Sequence, residues 1–218
     1  MGQPRWDNYA IAAEQAKKLF LEYDQEHIIK KLNLRADGDY LYIRFLDLDY
    51  RVHRRTANVE KREGDGPYTD GNSFNEVMTL FDVLCWSREG ACLSGEWVTL
   101  SALGGGVHSA SSPSGGMFRN AVERITRRED RLAEVLEHMG GVVMPKGEPG
   151  YQIPVFPFLP LYFQYWRGDE EFPPQLTLLW DKNTTQFLHY ETVYYLTGFL
   201  LQRVAALLER DGPAREPK

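Results

Sequence analysis

The chain has 218 residues, of which 43% are hydrophobic, so it can bury a substantial core within one large domain or two small ones. Its 31 acidic and 25 basic residues give a formal net charge of -6, which argues against a nucleic-acid-binding protein because such domains are normally basic. Two cysteines are too few for a disulfide framework or a cysteine-rich metal site, which favours a cytoplasmic protein, and no apolar run is long enough to cross a membrane.

Two helices are predicted in the first half of the chain. Apolar residues recur at helical spacing over residues 7–23, and Asp7 can serve as the N-cap. Ser73 precedes a second apolar stripe over residues 74–87, and Glu76 follows it three positions later. This spacing is typical of a capping box, in which each side chain bonds to the other residue's backbone N–H.

Strand and loop patterns separate the helices. Residues 40–45 alternate polar and apolar side chains, and residues 50–53 continue the alternation after a short turn, which predicts a β-hairpin. Residues 90–116 are rich in glycine and serine, with one short strand-like segment, residues 97–100, inside them. Such a long loop in a compact domain is often a binding loop or a lid. A continuous helix is then predicted over residues 117–139.

The last third of the chain contains an acidic hairpin. Residues 161–181 form two aromatic-rich runs, which fit strands, around a turn with three consecutive carboxylates and two prolines. The carboxylates are Asp169, Glu170 and Glu171. A strongly apolar helix over residues 190–210 follows.

Helices framing antiparallel strands, without β-α-β alternation, predict an α+β fold. We expect an antiparallel sheet of hairpins packed by several helices, with a long Gly-rich loop. No internal repeat or linker is visible, so we expect a single domain over residues 1–218, of which residues 210–218 form a frayed tail. The sequence does not indicate an oligomeric state.

Five motifs carry a resemblance to an uncharacterised family of anaerobic bacteria and archaea, the domain of unknown function 3786. They are Tyr42-Ile43-Arg44-Phe45-Leu46 with Tyr50-Arg51-Val52, Leu93-Ser94-Gly95-Glu96-Trp97-Val98, Leu103-Gly104-Gly105-Gly106, Leu159-Pro160-Leu161 with Trp166-Arg167-Gly168-Asp169-Glu170-Glu171-Phe172-Pro173, and Trp180-Asp181 with Phe187-Leu188-His189-Tyr190-Glu191. The family has no established activity. Some relatives resemble fusions to an iron–sulfur module, which implies a setting in anaerobic one-carbon or corrinoid metabolism. This chain lacks the four cysteines of that module, and it has Trp180 where family members tend to have Phe.

One catalytic hypothesis pairs two carboxylates. Glu96 lies beside Trp97, and a carboxylate desolvated by an aromatic ring can act as a general acid. With Asp169, Glu170 or Asp181 as its partner, Glu96 would serve a small-molecule hydrolase or lyase. The alternative interpretation is structural, with Trp97 in the core and Glu96 a surface acceptor.

The acidic turn could also bind a hard cation through Asp169, Glu170 and Glu171, with Asp181 across the hairpin as a fourth oxygen ligand. Adjacent side chains in a turn point in different directions, so three successive carboxylates seldom converge on one ion. The turn therefore favours a solvated surface over a metal site.

The principal hypothesis is a cytoplasmic ligand-binding or accessory domain that recognises a small molecule or a partner protein and has no catalysis of its own. Its predicted pocket is lined by Trp97, Gly105, His108 and Trp166, with the Gly-rich loop as a lid. That loop lacks the Lys-Ser/Thr of a P-loop, which disfavours a phosphate cradle. No particular cofactor is indicated.

The histidines and cysteines complete no catalytic or metal motif. No two histidines have the i, i+4 spacing of a metalloprotease helix. Cys85 lies at the edge of the buried stripe of its predicted helix, which favours a structural thiol. His189 opens the last helix with Glu191, whose charge suits the positive helix end.

Overall fold

The computed structural model describes residues 5–104 and 116–210, and of residues 5–8 the backbone only. Within these ranges it contains seven α-helices and ten β-strands, which confirms the predicted α+β fold class. The helices are α1 (Arg5–Glu22), α2 (Gln25–Leu32), α3 (Phe74–Trp86), α4 (Leu100–Leu103), α5 (Gly116–Thr126), α6 (Leu132–His138) and α7 (Tyr190–Glu209). Asp7 therefore lies inside α1 and is not its N-cap.

The first sheet is an antiparallel meander in the order β1-β2-β3-β4-β5. Its strands are β1 (Arg35–Ala36), β2 (Tyr40–Phe45), β3 (Leu48–His53), β4 (Val59–Glu63) and β5 (Thr69–Asp70). The predicted hairpin is β2–β3, with a tighter turn at Leu46 and Asp47 than expected. Leu46 adopts a φ of 53°, is buried, and donates from its backbone N to the Val155 carbonyl at 2.8 Å, which joins the two sheets.

The second sheet is also antiparallel, in the order β6-β10-β9-β8-β7. Its strands are β6 (Trp97–Thr99), β7 (Val142–Val143), β8 (Gly150–Phe156), β9 (Leu159–Trp166) and β10 (Gln175–Asp181). The acidic hairpin is β9–β10. The strands thus divide into two sheets, where the sequence suggested a single set.

Helices α3 and α7 form the centre of the helical layer, because α1 packs on α3 while α5 and α6 pack on α7. One hydrophobic cluster runs through both sheets and these helices, with Trp180, Tyr165 and Phe163 fully buried in it. Across the described ranges, no helix combines the length and apolar character of a membrane-spanning segment.

The predicted continuous helix over residues 117–139 is wrong, because the helix breaks after Thr126. A 3₁₀ turn at Glu129–Arg131 separates α5 from α6. The Thr126 hydroxyl donates to the Val122 carbonyl at 2.8 Å, and such back-bonding weakens a helix by competing with its backbone hydrogen bonds.

The capping box predicted at α3 does not form. Ser73 is the N-cap residue, but its side chain makes no capping bond to the backbone and donates instead to the Glu76 carboxylate. Glu76 is 1% exposed and accepts further hydrogen bonds from the Tyr50 hydroxyl and Lys61 Nζ, both at 2.5 Å. The carboxylate faces these partners because a buried charge requires a countercharge and hydrogen-bond donors. This requirement outweighs the stabilisation that a capping bond at the start of the helix would provide.

Arg210, the first residue of the expected frayed tail, lies within the described residues. Arg210 is held in place, since its guanidinium binds Glu63 and its carbonyl accepts from Arg131. Residues 211–218 lie outside the described residues, as do residues 105–115 of the Gly-rich loop.

Candidate functional site

The acidic tip is a self-contained turn. Oδ1 of Asp169 accepts hydrogen bonds from the backbone N of Glu171 at 2.8 Å and of Phe172 at 2.7 Å. The bonds from Phe172 and Glu171 lower the pKa of Asp169. All three tip carboxylates, including Glu170, are exposed. This geometry matches the solvated-turn interpretation, because one oxygen of Asp169 is already used by the turn itself.

Glu96 lies on the surface beside β6. Its side chain is 64% exposed and forms a salt bridge with Lys182 Nζ at 2.9 Å. Trp97 is half-buried and packs edge-on against Tyr162, with ring centroids 5.8 Å apart. An exposed carboxylate that is paired with a lysine lacks the desolvation that the general-acid hypothesis requires.

Asp181 is buried at the end of β10 and is saturated with hydrogen bonds. It accepts from the Ser94 backbone N at 2.9 Å and hydroxyl at 3.0 Å, from Gly95 N at 2.8 Å and from Asn183 N at 2.8 Å. Burial alone would raise the pKa of Asp181, but the bonds from Ser94, Asn183 and Gly95 outweigh it and lower that pKa. The carboxylate therefore holds the loop before β6 against β10.

The structure separates Glu96 from the two tip candidates, Asp169 and Glu170. Asp181, the third proposed partner, lies close by, because Gly95, the residue before Glu96, donates from its backbone N to the Asp181 carboxylate at 2.8 Å. In the β9–β10 register Trp166 faces Gln175 at the acidic tip, whereas Trp97 faces Asp181 at the other end of β10. Six residues of strand separate these ends by about 20 Å. Glu96 and Asp169 therefore cannot flank one scissile bond, which requires carboxyl groups within about 10 Å.

The same separation applies to the predicted ligand pocket. Trp97 and Trp166 lie at opposite ends of the second sheet, so they do not line one cavity. Trp166 is 40% exposed on the surface of the sheet. Gly105 and His108 lie outside the described residues.

A different cavity, here named the helical pocket, lies between α1, α3 and the start of α7. Its volume is about 470 Å³, within the usual range for small-molecule sites. It is lined by Ala12, Gln15, Ala16, Leu19, Tyr23, Met78, Phe81, Asp82, Cys85, Trp86, His189, Glu191, Thr192 and Tyr195. The walls are mostly apolar, and the carboxylates and the imidazole lie on α3 and at the start of α7.

The polar end of the helical pocket is built around His189. Asp82 accepts from His189 Nδ1 at 2.6 Å and from the His189 backbone N at 2.7 Å. Trp86 stacks on the imidazole with ring centroids 3.8 Å apart and planes at 28°. The His189 side chain is 45% exposed and that of Asp82 is 12% exposed, so the imidazole reaches the cavity from a largely buried support.

Local structure explains this arrangement. Asp82 and Trp86 are four residues apart on α3 and therefore project from one face of the helix. His189 is the N-cap of α7 with extended backbone angles, which turn its ring back toward α3. Asp82 also places a negative charge at the positive end of α7.

The local sequence indicates this site only weakly, because His189 fits the start of the last helix and Asp82 belongs to no recognisable motif. The signal that could have found Asp82 is a single carboxylate between Phe81 and Val83 in the strongly apolar stretch of α3.

A second ionic cluster lies between β4, α6 and α7. One oxygen or nitrogen each from Asp47, Glu63 and His138 lie within 4.8 Å of one another. However, Arg203 donates to both oxygens of Asp47 at 2.9 and 3.0 Å, and Arg210 donates to Glu63 at 2.7 Å. A metal ion would have to displace two guanidinium groups, so the cluster is an ion-pair network.

Comparison with known proteins identifies a family whose model matches most of the chain. The model of the Domain of unknown function (DUF3786) matches residues 24–203. No curated protein and no solved structure matches the chain. The α3 and α7 walls of the helical pocket lie within the matched residues, whereas the α1 wall lies before them.

Proposed function

The chain belongs to the DUF3786 family, and from that premise we propose that it is a small-molecule-binding domain whose ligand occupies the helical pocket. The observation that carries the proposal is the Asp82–His189 pair at the polar end of a mostly apolar cavity. A few convergent polar groups on apolar walls are the usual composition of a ligand site.

The hydrogen-bonding capacity of the pocket defines one feature of the ligand. A carboxylate only accepts hydrogen bonds, so Nδ1 of His189 carries a proton and, in the neutral ring, Nε2 is the acceptor. Nε2 makes no hydrogen bond to any residue that the structure describes. The ligand would therefore donate to Nε2 through a hydroxyl or N–H group and place its apolar part against Phe81 and Met78.

The charge of the pocket defines a second feature. Asp82 and Glu191 both line the cavity, and no Lys or Arg is among the described residues of the lining. An anionic ligand would be repelled, so the ligand class is neutral or cationic. A phenol or an amine on a compact apolar body meets both requirements.

The cellular setting is part of the proposal. Free thiols at Cys85 and Cys92 accord with a reducing cytoplasm. A link to anaerobic one-carbon or corrinoid metabolism rests on the family resemblance alone. A corrinoid is far larger than the helical pocket, so the ligand there would be a smaller metabolite.

The test uses three probes that share one ring: phenol, tyramine and 4-hydroxyphenylacetate. In ¹⁵N-edited NMR titrations, we expect phenol and tyramine to shift signals of α3 and of the start of α7, including the Trp86 indole, while the acid has no effect. Ala12→Phe fills the cavity and should abolish the shifts. Ala10→Phe, which adds the same ring to an exposed position on α1, is the matched control. Unchanged binding in Ala12→Phe, or no response to any probe, would refute the proposal.

The same pair favours a second candidate function, general-base catalysis by His189. An imidazole whose tautomer is set by a carboxylate and whose ring lines a cavity has the arrangement of a proton acceptor. Turnover of 4-nitrophenyl acetate, a histidine-sensitive ester, tests this. His189→Gln should remove most of the activity, whereas His27→Gln, at an exposed position, should not. Equal losses in both variants would mean that the reaction occurs at surface groups.

A further inference from the structure

The outer face of the first sheet is rich in arginine and tyrosine. Along β2 the side chains of Leu41, Ile43 and Phe45 enter the core, so Tyr42 and Arg44 project from the opposite face. The β2–β3 register places Arg44 opposite Asp49, and the β3–β4 register places Asp49 opposite Arg62. These cross-strand neighbours bring several guanidinium groups to one surface.

A small cavity of about 210 Å³ opens on this face, here named the arginine cavity. The side chains that define it are Arg35, Tyr42, Arg44, Asp49, Arg62 and Tyr68. Three of them are permanent cations and one is a carboxylate. The local excess is therefore positive in a chain whose net charge is -6.

Asp49 compensates two of the three arginines only in part. Its Oδ1 accepts from Arg44 Nη1 at 3.2 Å, and its Oδ2 lies 3.5 Å from Arg62 Nε. The latter contact is a salt bridge without a hydrogen bond, and Arg62 Nε is a buried donor that has no acceptor among the described residues. A buried donor without an acceptor is costly and is relieved by an incoming oxygen.

Arg35 forms no salt bridge to a carboxylate in the described ranges, although its charge interacts with that of the nearby Asp37. Its guanidinium carbon lies 3.7 Å from the centroid of the Tyr42 ring. The Tyr42 hydroxyl donates to Asp37 at 2.7 Å, which fixes the ring under the cation. The guanidinium is thus held over the Tyr42 ring at the cavity, and its N–H groups make no hydrogen bond to the residues that the structure describes.

A neighbouring cavity of about 510 Å³, on the inner side of β4, differs from the arginine cavity in how its cations are paired. There Lys61 pairs with Glu76, Arg203 with Asp47 and Arg210 with Glu63. Each of these cations has a carboxylate of its own. Arg62 lines both cavities, whereas Arg35, which lacks a salt bridge within the described ranges, and Arg44 line the arginine cavity.

We propose that the arginine cavity binds a doubly charged oxyanion, the phosphate group of a small molecule or free phosphate. The three guanidinium groups outnumber the nearby carboxylates of Asp49 and Asp37, and guanidinium groups bind phosphate oxygens through parallel N–H donors. The volume of about 210 Å³ is large enough for a phosphate group. The site is separate from the helical pocket and takes the opposite charge.

The experiment is an NMR titration with inorganic phosphate, phenyl phosphate and acetate, followed through the amides of Arg44, Asp49 and Arg62. We expect saturable shifts with the phosphates, weaker ones with acetate, and loss of affinity in high salt. Arg35→Gln should weaken binding about tenfold. Asp49→Asn, which removes the competing carboxylate, should strengthen it several-fold.

The control is Arg55→Gln, which removes the same charge from a side chain that is 79% exposed and pairs with Asp39 at 3.8 Å, outside the cavity. It should leave affinity unchanged. Equal affinity for both phosphates assigns the site to free phosphate, and a preference for phenyl phosphate assigns it to a phosphate ester. No saturation by about 10 mM phosphate, equal weakening in Arg35→Gln and Arg55→Gln, or much tighter binding of a single-stranded oligonucleotide would each overturn the proposal.

Discussion

The carboxylate of Asp82 holds His189 at two points, with Oδ2 accepting from the backbone N at 2.7 Å and Oδ1 from ring Nδ1 at 2.6 Å. One side chain therefore supports the first turn of α7 and also orients the imidazole toward the helical pocket. Because both tasks depend on the same carboxylate, stability and ligand binding should be coupled at this position.

The first prediction concerns Asp82→Asn. The amide keeps one acceptor oxygen but loses the charge that favours the α7 N-terminus, so the free energy of unfolding should fall by about 1–2 kcal/mol. Binding of phenol should fall with it, because the orientation of the imidazole is no longer fixed. Urea denaturation and the NMR titration measure the two effects. Asp65→Asn, at an exposed loop carboxylate, should change neither.

The second prediction concerns acid stability at Asp181. Its pKa is lowered from the ordinary 3.8, so its contribution is present above about pH 4 and is lost as pH falls through the lower folded-state value. Asp181→Asn should cost about 2 kcal/mol at pH 7, because the amide cannot accept from all four donors. The difference from the unchanged chain should narrow below pH 4 in denaturant titrations. The same substitution at exposed Asp169 should cost less, and equal costs would contradict the buried role of Asp181.

The third prediction concerns Glu63 and Arg210. Hydrogen bonds from Arg210, with the charge of Arg203, lower the pKa of Glu63 from 4.5 to about 2. The stabilisation is therefore full above pH 4.5 and disappears toward pH 2. The Glu63 side chain is 34% exposed, so solvent screening reduces the contribution to about 1 kcal/mol.

Arg210→Gln should lose most of that amount at pH 6, because Arg203 remains beside Glu63, and progressively less as the pH falls from 4.5 toward 2. Arg124→Gln breaks the more exposed pair with Glu209 and serves as the control, with a smaller loss expected. Chemical denaturation at each pH measures both variants. A loss that is independent of pH would show that Arg210 acts through packing rather than through its ion pair.

The fourth prediction concerns the two thiols. Burial raises the pKa of Cys85 to about 12, so roughly one molecule in ten thousand carries the reactive thiolate at pH 8. Cys92 is exposed. Ellman's reagent should therefore label one thiol in the native protein and two in guanidinium. Cys92→Ser should abolish native labelling, and rapid modification of Cys85 would disprove its assignment as a structural thiol.

Local periodicity in the sequence was sufficient to predict some strands, such as β2, but not others, such as β4. The alternation over residues 40–45 predicted β2 because one face of that strand is buried and the other is not. Strand β4 went unassigned because four of its five residues, Glu60 to Glu63, are charged. Lys61 points inward because it forms an ion pair with Glu76. Glu63 points inward because it forms ion pairs with Arg203 and Arg210. These partners are distant in sequence, so a local pattern cannot predict the direction of either side chain.

The Asp82–His189 pair of the helical pocket could not be predicted from local sequence patterns for the same reason, because its partners are distant in sequence. Asp82 and His189 are 107 positions apart, and only the packing of α3 on α7 brings them together. The acidic tip attracted attention because three adjacent carboxylates are conspicuous in a sequence. In the structure that charge is solvated, and the carboxylates with many partners are the isolated ones, Asp47, Glu76 and Asp181.

The two sheets differ in how many residues separate the strands that pair with each other. In the first sheet every strand pairs with its neighbour in sequence, so each closure spans a short loop with a small entropic cost. In the second, β6 joins β10 only after residues such as Ser94 and Asp181, 87 positions apart, have met. We expect the first sheet to assemble early and β6 to dock last, an order that pulsed hydrogen exchange would reveal as late protection of the Val98 amide. The hydrogen bonds from Ser94 and Gly95 to the buried Asp181 carboxylate would then form in the last step of folding.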